Sequence, residues 1–273
     1  MRRDSAGGQS RLVLATDLDG TLVGDGPSLV RLNKWIRDRR DAVAVVYLTG
    51  RHSGSASGLI ECEGLVRPDV LVCNVGAEIR FAPSYDPDPA WEARVREGWN
   101  QALVCAHLKA KFPHLVYHDL PTELRLAYHT DSGLSETRAA VADSLRNAGL
   151  PATVVVSTGG FMDVIPAQAG KGRALRYVMQ VMGWEDRCVI VCGDSGNDLD
   201  MLLLGLNGVV VGNATEEVLG VRLPEAVYRA CGQCAEGIIE GLCHHGFMDE
   251  RDLGATPEDE GWRGDELGKE SAG

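Results

Sequence analysis

A chain of 273 residues, 44% of them hydrophobic, is long enough to bury a substantial core in one large domain or two modest ones. Its formal net charge of −12 argues against a general nucleic-acid or acidic-membrane binder, which needs a basic face. No run of about 18 apolar residues is available to span a bilayer, and residues 1–9 lack the apolar segment of a secretory signal, so a cytoplasmic protein is expected.

The apolar run Leu12-Val13-Leu14-Ala15 predicts a buried strand, and Asp17-Leu18-Asp19-Gly20-Thr21 follows it directly. Ligands of open α/β sheets bind at the carboxyl ends of strands. Two carboxylates two residues apart, followed by a glycine that permits a tight turn, suit a nucleophile with a proton carrier beside it. A helix is predicted over 28–38, a strand over 42–48, a helix over 55–61 and a strand over 70–73, an alternation that makes a parallel sheet covered on both faces. Thr49-Gly50-Arg51 closes the second strand, offering a hydroxyl and a glycine that an anion can approach, although Thr-Gly also suits a plain turn.

The texture then changes. Pro83, Pro87 and Pro89 mark a boundary, followed by a predicted helix over 91–109, strands at 114–118 and 124–129, a helix over 134–147, and strands at 152–157 and 161–165. Paired strands flanking helices describe an α+β unit, here inserted into the first domain. The expected division is a core of residues 1–80 and 167–248, an insert of residues 81–166, and an acidic tail of residues 249–273.

Ala169-Gly170-Lys171-Gly172 opens the next helix (172–182), where an ammonium can reach an oxyanion. A strand at 188–192 delivers Gly193-Asp194-Ser195-Gly196-Asn197-Asp198, ahead of a short helix over 199–204 and a strand at 208–211. Helix capping accounts for one acid of this segment, but not for two acids and the earlier Asp-x-Asp at strand ends of one sheet. Carboxylates collected at one edge repel unless a hard cation such as Mg2+ sits among them. With Thr49 and Lys171 they supply the parts of phosphoryl transfer, in which positioning and charge neutralisation dominate.

Cys73, Cys188 and Cys192 lie in apolar runs and read as reduced, buried thiols. Cys231-x-x-Cys234, with Cys243, His244 and His245 downstream, has zinc-like spacing, but residues 235–243 read as a helix and no second Cys-x-x-Cys exists, so loop and helix cysteines are expected. The tail carries nine acidic and three basic residues, half of the net charge, and its composition predicts disorder.

The ordered motifs Asp17-x-Asp19-Gly20-Thr21, Thr49-Gly50-Arg51, Lys171 and Gly193-Asp194-Ser195-Gly196-Asn197-Asp198 resemble the haloacid-dehalogenase-like (HAD) phosphatase superfamily with a C2-type cap, over residues 11–247. Asn74-Val75-Gly76-Ala77-Glu78-Ile79, the Trp91 and Trp99 pair, Asp163-Val164-Ile165-Pro166, and Ala235-Glu236-Gly237-Ile238-Ile239-Glu240 before Phe247 are similar to sucrose-6-phosphate phosphatases. The resemblance implies an α/β fold, a Rossmann-like parallel-sheet core with an inserted α+β cap that sets substrate specificity. It makes Asp17 the nucleophile that forms an aspartyl-phosphate and Asp19 the general acid and base. Thr49, Gly50 and Lys171 would hold phosphoryl oxygens, and Asn197 and Asp198 would orient phosphate, Lys171 or metal-bound water. Mg2+ would bind Asp17, the Asp19 carbonyl and Asp194, while Glu78 and Arg125 are candidate sugar contacts.

Two departures touch substrate recognition. Gly170 stands where the family has asparagine, and Arg125-Leu126-Ala127-Tyr128 replaces a Lys-Ile-Ser-Tyr-like stretch; an arginine fork is not interchangeable with an ammonium. The expected activity is Mg2+-dependent hydrolysis of sucrose 6-phosphate or a related disaccharide phosphate by a monomer, with a sugar-phosphate synthase as candidate protein partner and with no nucleic-acid or membrane partner. The alternatives are a phosphatase for mannosylfructose, trehalose or mannosylglycerate phosphate, or a non-catalytic phosphatase-like regulatory domain. A receiver-type signalling domain is disfavoured by the cap-sized insert and the late acidic motif.

Overall fold

Strands that are apolar at every position must be covered on both faces, and that requirement sets the layers of the molecule. The computed structural model describes residues 11–130, 134–157 and 160–253. In chain order, β1 (Leu12–Thr16), α1 (Gly26–Asp38), β2 (Val43–Leu48), α2 (Ser53–Cys62) and β3 (Val70–Cys73) build the first half, with all three strands buried throughout. Then β4 (Glu78–Phe81) turns back antiparallel to β3, with Val72 opposite Ile79. Sequence patterning did not predict this strand, because Glu78 and Arg80 alternate with Ile79 and Phe81 as suits an edge rather than a buried strand.

The insert continues with α3 (Pro89–Arg96), α4 (Gln101–Lys111), β5 (Val116–His118), β6 (Leu126–His129), α5 (Leu134–Asn147), β7 (Ala152–Ser157) and β8 (Phe161–Pro166). The single helix expected over 91–109 is two helices. Gly98 takes φ +72, and the Asn100 side chain accepts from Leu103 N at 3.0 Å to start α4 afresh. Strands β5-β6-β8-β7 form an antiparallel sheet of four. One of its faces, carrying Leu126, Tyr128, Met162, Val164 and Val154, packs on α4 and α5 through Val104, Leu108, Val141 and Leu145. By contrast, Trp91 and Val95 of α3 pack with Ile79, Ala174 and Val178, so α3 belongs to the hydrophobic core of the large sheet although it lies past residue 81.

The chain returns through α6 (Lys171–Met182), β9 (Val189–Gly193), α7 (Leu199–Leu202), β10 (Asn207–Val210), α8 (Glu216–Leu219), β11 (Val227–Arg229) and α9 (Cys234–His244). The seven-stranded order is β11-β10-β9-β1-β2-β3-β4, parallel except for β4. Strand order reverses between β1 and β9, and the crevice outside their carboxyl ends is where such a sheet takes a ligand.

The first residues of the segment assigned to the acidic tail lie among the described ones. Residues Glu250–Leu253 form a 3-10 turn, and Asp252 pairs at 2.8 Å with Arg39, the residue that follows α1. The rest of the tail, residues 254–273, lies outside the described residues. Among the described residues no helix is long and apolar enough to cross a membrane.

Candidate active site

Four strand ends deliver the site. Asp17 follows β1, Thr49 follows β2, Asn74 follows β3 and Asp194 follows β9; all four are buried. Lys171, the first residue of α6, is fully buried, and its Nζ donates to Asp17 Oδ1 at 2.6 Å and to Asp198 Oδ1 at 2.7 Å. Burial alone would push the lysine pKa down, but the two carboxylates outweigh it and raise it. The same burial drives Asp17 well up from its ordinary value, against the pull of Lys171, with Asp198 and Asp194 adding to the rise. Burial and the Asp198 charge push Asp194 up to about 6, although Thr21 Oγ1 donates to its Oδ1 at 2.6 Å.

Asp198 serves two elements at once. Its Oδ2 accepts from Asp194 N at 3.1 Å and Ser195 N at 3.0 Å, closing a capping box, while its Oδ1 holds Lys171. The capping role weighed from sequence is therefore real for Asp198, and Asp194 is the acid left to face the cluster.

Oxygens of Asp17, Asp194 and Asp198 lie within 4.8 Å of one another, the one such group of potential metal ligands among the described residues. With all three carboxyls ionised, the one ammonium would leave two negative charges in a buried space, which a divalent cation would balance. The donors are hard oxygens, and a Cβ at Gly20 would stand 2.9 Å from Asp194 Oδ2, so the chain keeps that side of the cluster open. The donor set fits Mg2+. The Asp19 side chain stands apart from it: half-exposed, it receives a two-pronged hydrogen bond from Arg51, Nε to Oδ2 and Nη2 to Oδ1, both 2.7 Å. Arg51 is therefore a site residue that sequence reasoning quoted within its motif but gave no task.

Other partners were hidden from sequence reasoning as well. Asp200 Oδ2 accepts from Gly172 N at 2.8 Å, capping α6 and fixing where Lys171 begins; burial raises its pKa to about 6. The turn Asn74-Val75-Gly76 has φ of +52, +55 and +85, a conformation that a β-branched valine rarely takes. Within it, Asn74 N donates to Arg51 O at 2.9 Å and Val75 N to Thr49 O at 3.0 Å, while Trp91 Nε1 donates to Gly76 O at 3.1 Å. A side chain at Gly76 would run into the Gly170 carbonyl. One turn thus sets the Thr49–Arg51 backbone and the start of α6 together, at the cost of backbone strain.

A cleft of about 610 Å³ opens over Asp17 and Asp19, with Gly50, Arg51 and Asn197 on the core side and Arg125 and Asp163 on the inserted sheet. Arg125 spans the two: its Nη1 donates to Gly50 O, and it pairs with Asp163 at 3.6 Å. The backbone of β7 also meets the acidic loop, since a Cβ at Gly196 would stand 2.9 Å from Val156 O. Glu78, expected as a sugar contact, lies elsewhere. It accepts from Asn74 Nδ2 at 3.0 Å, pairs with Arg80, and lines a separate cavity of about 470 Å³ beside Trp91 and Glu123.

The zinc-like spacing gathers no site. Cys231 is exposed, while Cys234 is buried with its Sγ toward Gly20 O at 3.4 Å. His244 stacks on Tyr228 at 4.0 Å, and His245 Nε2 is 3.0 Å from Gly208 O.

The profile of the sucrose-6F-phosphate phosphohydrolase family matches residues 10–246. Sucrose-phosphatase 1 of Nicotiana tabacum is 32% identical over 253 residues, which cover 86% of this chain and 59% of that protein. The chain thus spans less than two thirds of the length of that plant relative. The sucrose-phosphatase of Synechocystis sp. PCC6803, solved with sucrose and phosphate, superposes with a TM-score of 0.81 at 31% identity, covering 87% of this chain and 99% of that one. A haloacid dehalogenase-like hydrolase from Bacillus subtilis shares the fold, with a TM-score of 0.62 at 18% identity over 88% of this chain and 93% of its own.

Proposed function

The chain belongs to the sucrose-6F-phosphate phosphohydrolase family, and on that premise we propose that it hydrolyses a disaccharide phosphate, sucrose 6F-phosphate, to the free sugar and inorganic phosphate. The observation that carries this reading is the buried set of Asp17, Lys171, Asp194 and Asp198 under a cleft shared with the inserted sheet.

In the first step a carboxylate oxygen of Asp17 attacks phosphorus and the bond from phosphorus to the sugar oxygen breaks, while Asp19 gives that oxygen a proton. In the second step water attacks phosphorus, Asp19 takes its proton, and the bond to Asp17 breaks to release phosphate. The Arg51 fork must leave Asp19 free to turn inward for both transfers. Lys171 keeps Asp17 oriented and neutralises charge on the phosphoryl oxygens. Thr49, whose Oγ1 already accepts from Arg51 N at 3.1 Å, donates to one of those oxygens, and the Asn197 amide and the Gly50 backbone flank the group. Mg2+ held by Asp17, the Asp19 carbonyl and Asp194 would supply further neutralisation of phosphate charge. The inserted sheet covers the sugar and limits water to what the second step needs.

The test is phosphate release with Mg2+ over a panel of sugar phosphates, with Asp17→Asn as control. Phosphate monoesters are among the slowest esters to hydrolyse unaided, with enzymatic accelerations up to ~10²¹, so Asp17→Asn should reduce turnover below detection. A flat profile across the panel, or an active Asp17→Asn, would overturn the proposal.

A further inference from the structure

Alternation along the inserted strands divides their residues between two faces, and only one face packs on α4 and α5. The other carries His118, Ala127 and Asp163 as one cross-strand row and His129 with Phe161 as the next. Of these, His118, Ala127, Phe161 and Asp163 line the cleft opposite Asp17. Phe161 is 40% exposed there, a large apolar ring in a cleft lined mostly by polar side chains. It is not loose: its ring centroid lies 5.3 Å from that of His118 and 5.4 Å from that of His129, contacts that fix its plane. His118 Nε2 is buried with no hydrogen-bond partner, a state that native proteins tolerate where a ligand or water completes it. Ala127 is a small apolar residue in this row, 6% exposed, so the floor beside Phe161 is shallow and apolar.

A sugar ring presents exactly opposite chemistry on its two aspects: an apolar C–H face and a rim of hydroxyls. We propose that Phe161, with His118 and Ala127, is the specificity-determining platform of this chain, and that it takes the sugar ring not bearing the phosphate by stacking on its C–H face. Arg125 and Asp163, flanking the platform, meet the hydroxyl rim. The phosphorylated ring must sit nearer Asp17, which leaves the far wall of the cleft for the second ring.

This inference rests on the proposed disaccharide phosphatase activity, and two substrates separate them. Sucrose 6F-phosphate and fructose 6-phosphate share the phosphorylated ring and differ by the second one. The readout is the ratio of their kcat/KM values. Phe161→Ala should lower that ratio about 10-fold, mainly through KM for the disaccharide, while Phe161→Tyr should hold it within about 3-fold of the wild type. Calorimetric titration with sucrose alone should show weakened binding to Phe161→Ala and to His118→Ala. If Phe161→Ala fails to fold, as judged by circular dichroism, Phe161→Leu keeps bulk without the aromatic face and should lower the ratio in the same way. A wild type that prefers the disaccharide, combined with an unchanged ratio in the Phe161 variants, overturns the platform alone. A wild type with no preference overturns it together with the activity on which it rests.

Discussion

Lys171 is the residue on which the buried charges balance. With Nζ within 2.7 Å of both Asp17 and Asp198, it offsets two buried carboxylates, of which only Asp17 reaches the cleft. Lys171→Met should destabilise the metal-free protein by about 3–5 kcal/mol, because it strands both charges. Adding Asp198→Asn should cost less than the two single changes combined, a non-additivity that denaturant titration of the three variants would measure. Asp17, Lys171, Asp194 and Asp198 were legible in the sequence because each directly follows or opens an apolar-patterned element, and strand ends converge in this class of sheet. Arg51 gripping Asp19 was not legible, since it depends on β1 and β2 lying side by side. Glu78 lines a cavity other than the one over Asp17, because it opens the edge strand β4, where Asn74 and Arg80 take its carboxylate.

Between elements, the tightest constraint is the turn after β3, where Gly76 lies against the start of α6. Gly76→Ala should cost about 2 kcal/mol or more from the positive φ and the overlap with the Gly170 carbonyl, and should lower kcat by displacing Lys171. Thermal melting and steady-state kinetics check the two effects separately. At the other end of the sheet, Glu240 of α9 accepts from Tyr228 Oη at 2.6 Å and from Gly232 N at 2.8 Å. Those bonds, the tyrosine hydroxyl first, hold its carboxyl below the usual 4.5. The stabilisation is therefore complete above about pH 4.5 and is lost as pH falls through the depressed value. Melting curves should show Glu240→Gln modestly weaker than wild type near neutral pH, with the gap closing as pH falls through the depressed value. Long apolar strands were readable from pattern alone, whereas β4 and the three-residue β11 were not, because their stability comes from the neighbour they pair with. The break between α3 and α4 was likewise invisible to helical periodicity, which continues across Gly98.

At the scale of the molecule, two sheets face one cleft, and among the described residues one cluster of three carboxylates could hold a metal ion at its base. Mg2+ should raise the melting temperature, by an amount corresponding to about 2.7 kcal/mol at 100 times its Kd, and Asp194→Asn should abolish the shift. A scan of melting temperature against Mg2+ concentration for both proteins decides this. The parallel order and the presence of an inserted α+β unit could be read from alternating elements and from the proline-rich boundary. The assignment of α3 to the core could not, since it follows from Trp91 reaching Gly76 O across the chain. The seating of the inserted sheet on Gly196 has a separate consequence. Because β7 approaches that glycine through the Val156 carbonyl, the docking there depends on backbone shape and not on side-chain identity. Cleft-facing residues other than Arg125, whose side chain also ties the sheet to Gly50 O, can then be exchanged without disturbing this contact. If the sheet recognises the sugar as proposed, substrate choice and the Asp17 chemistry reside on separately exchangeable surfaces.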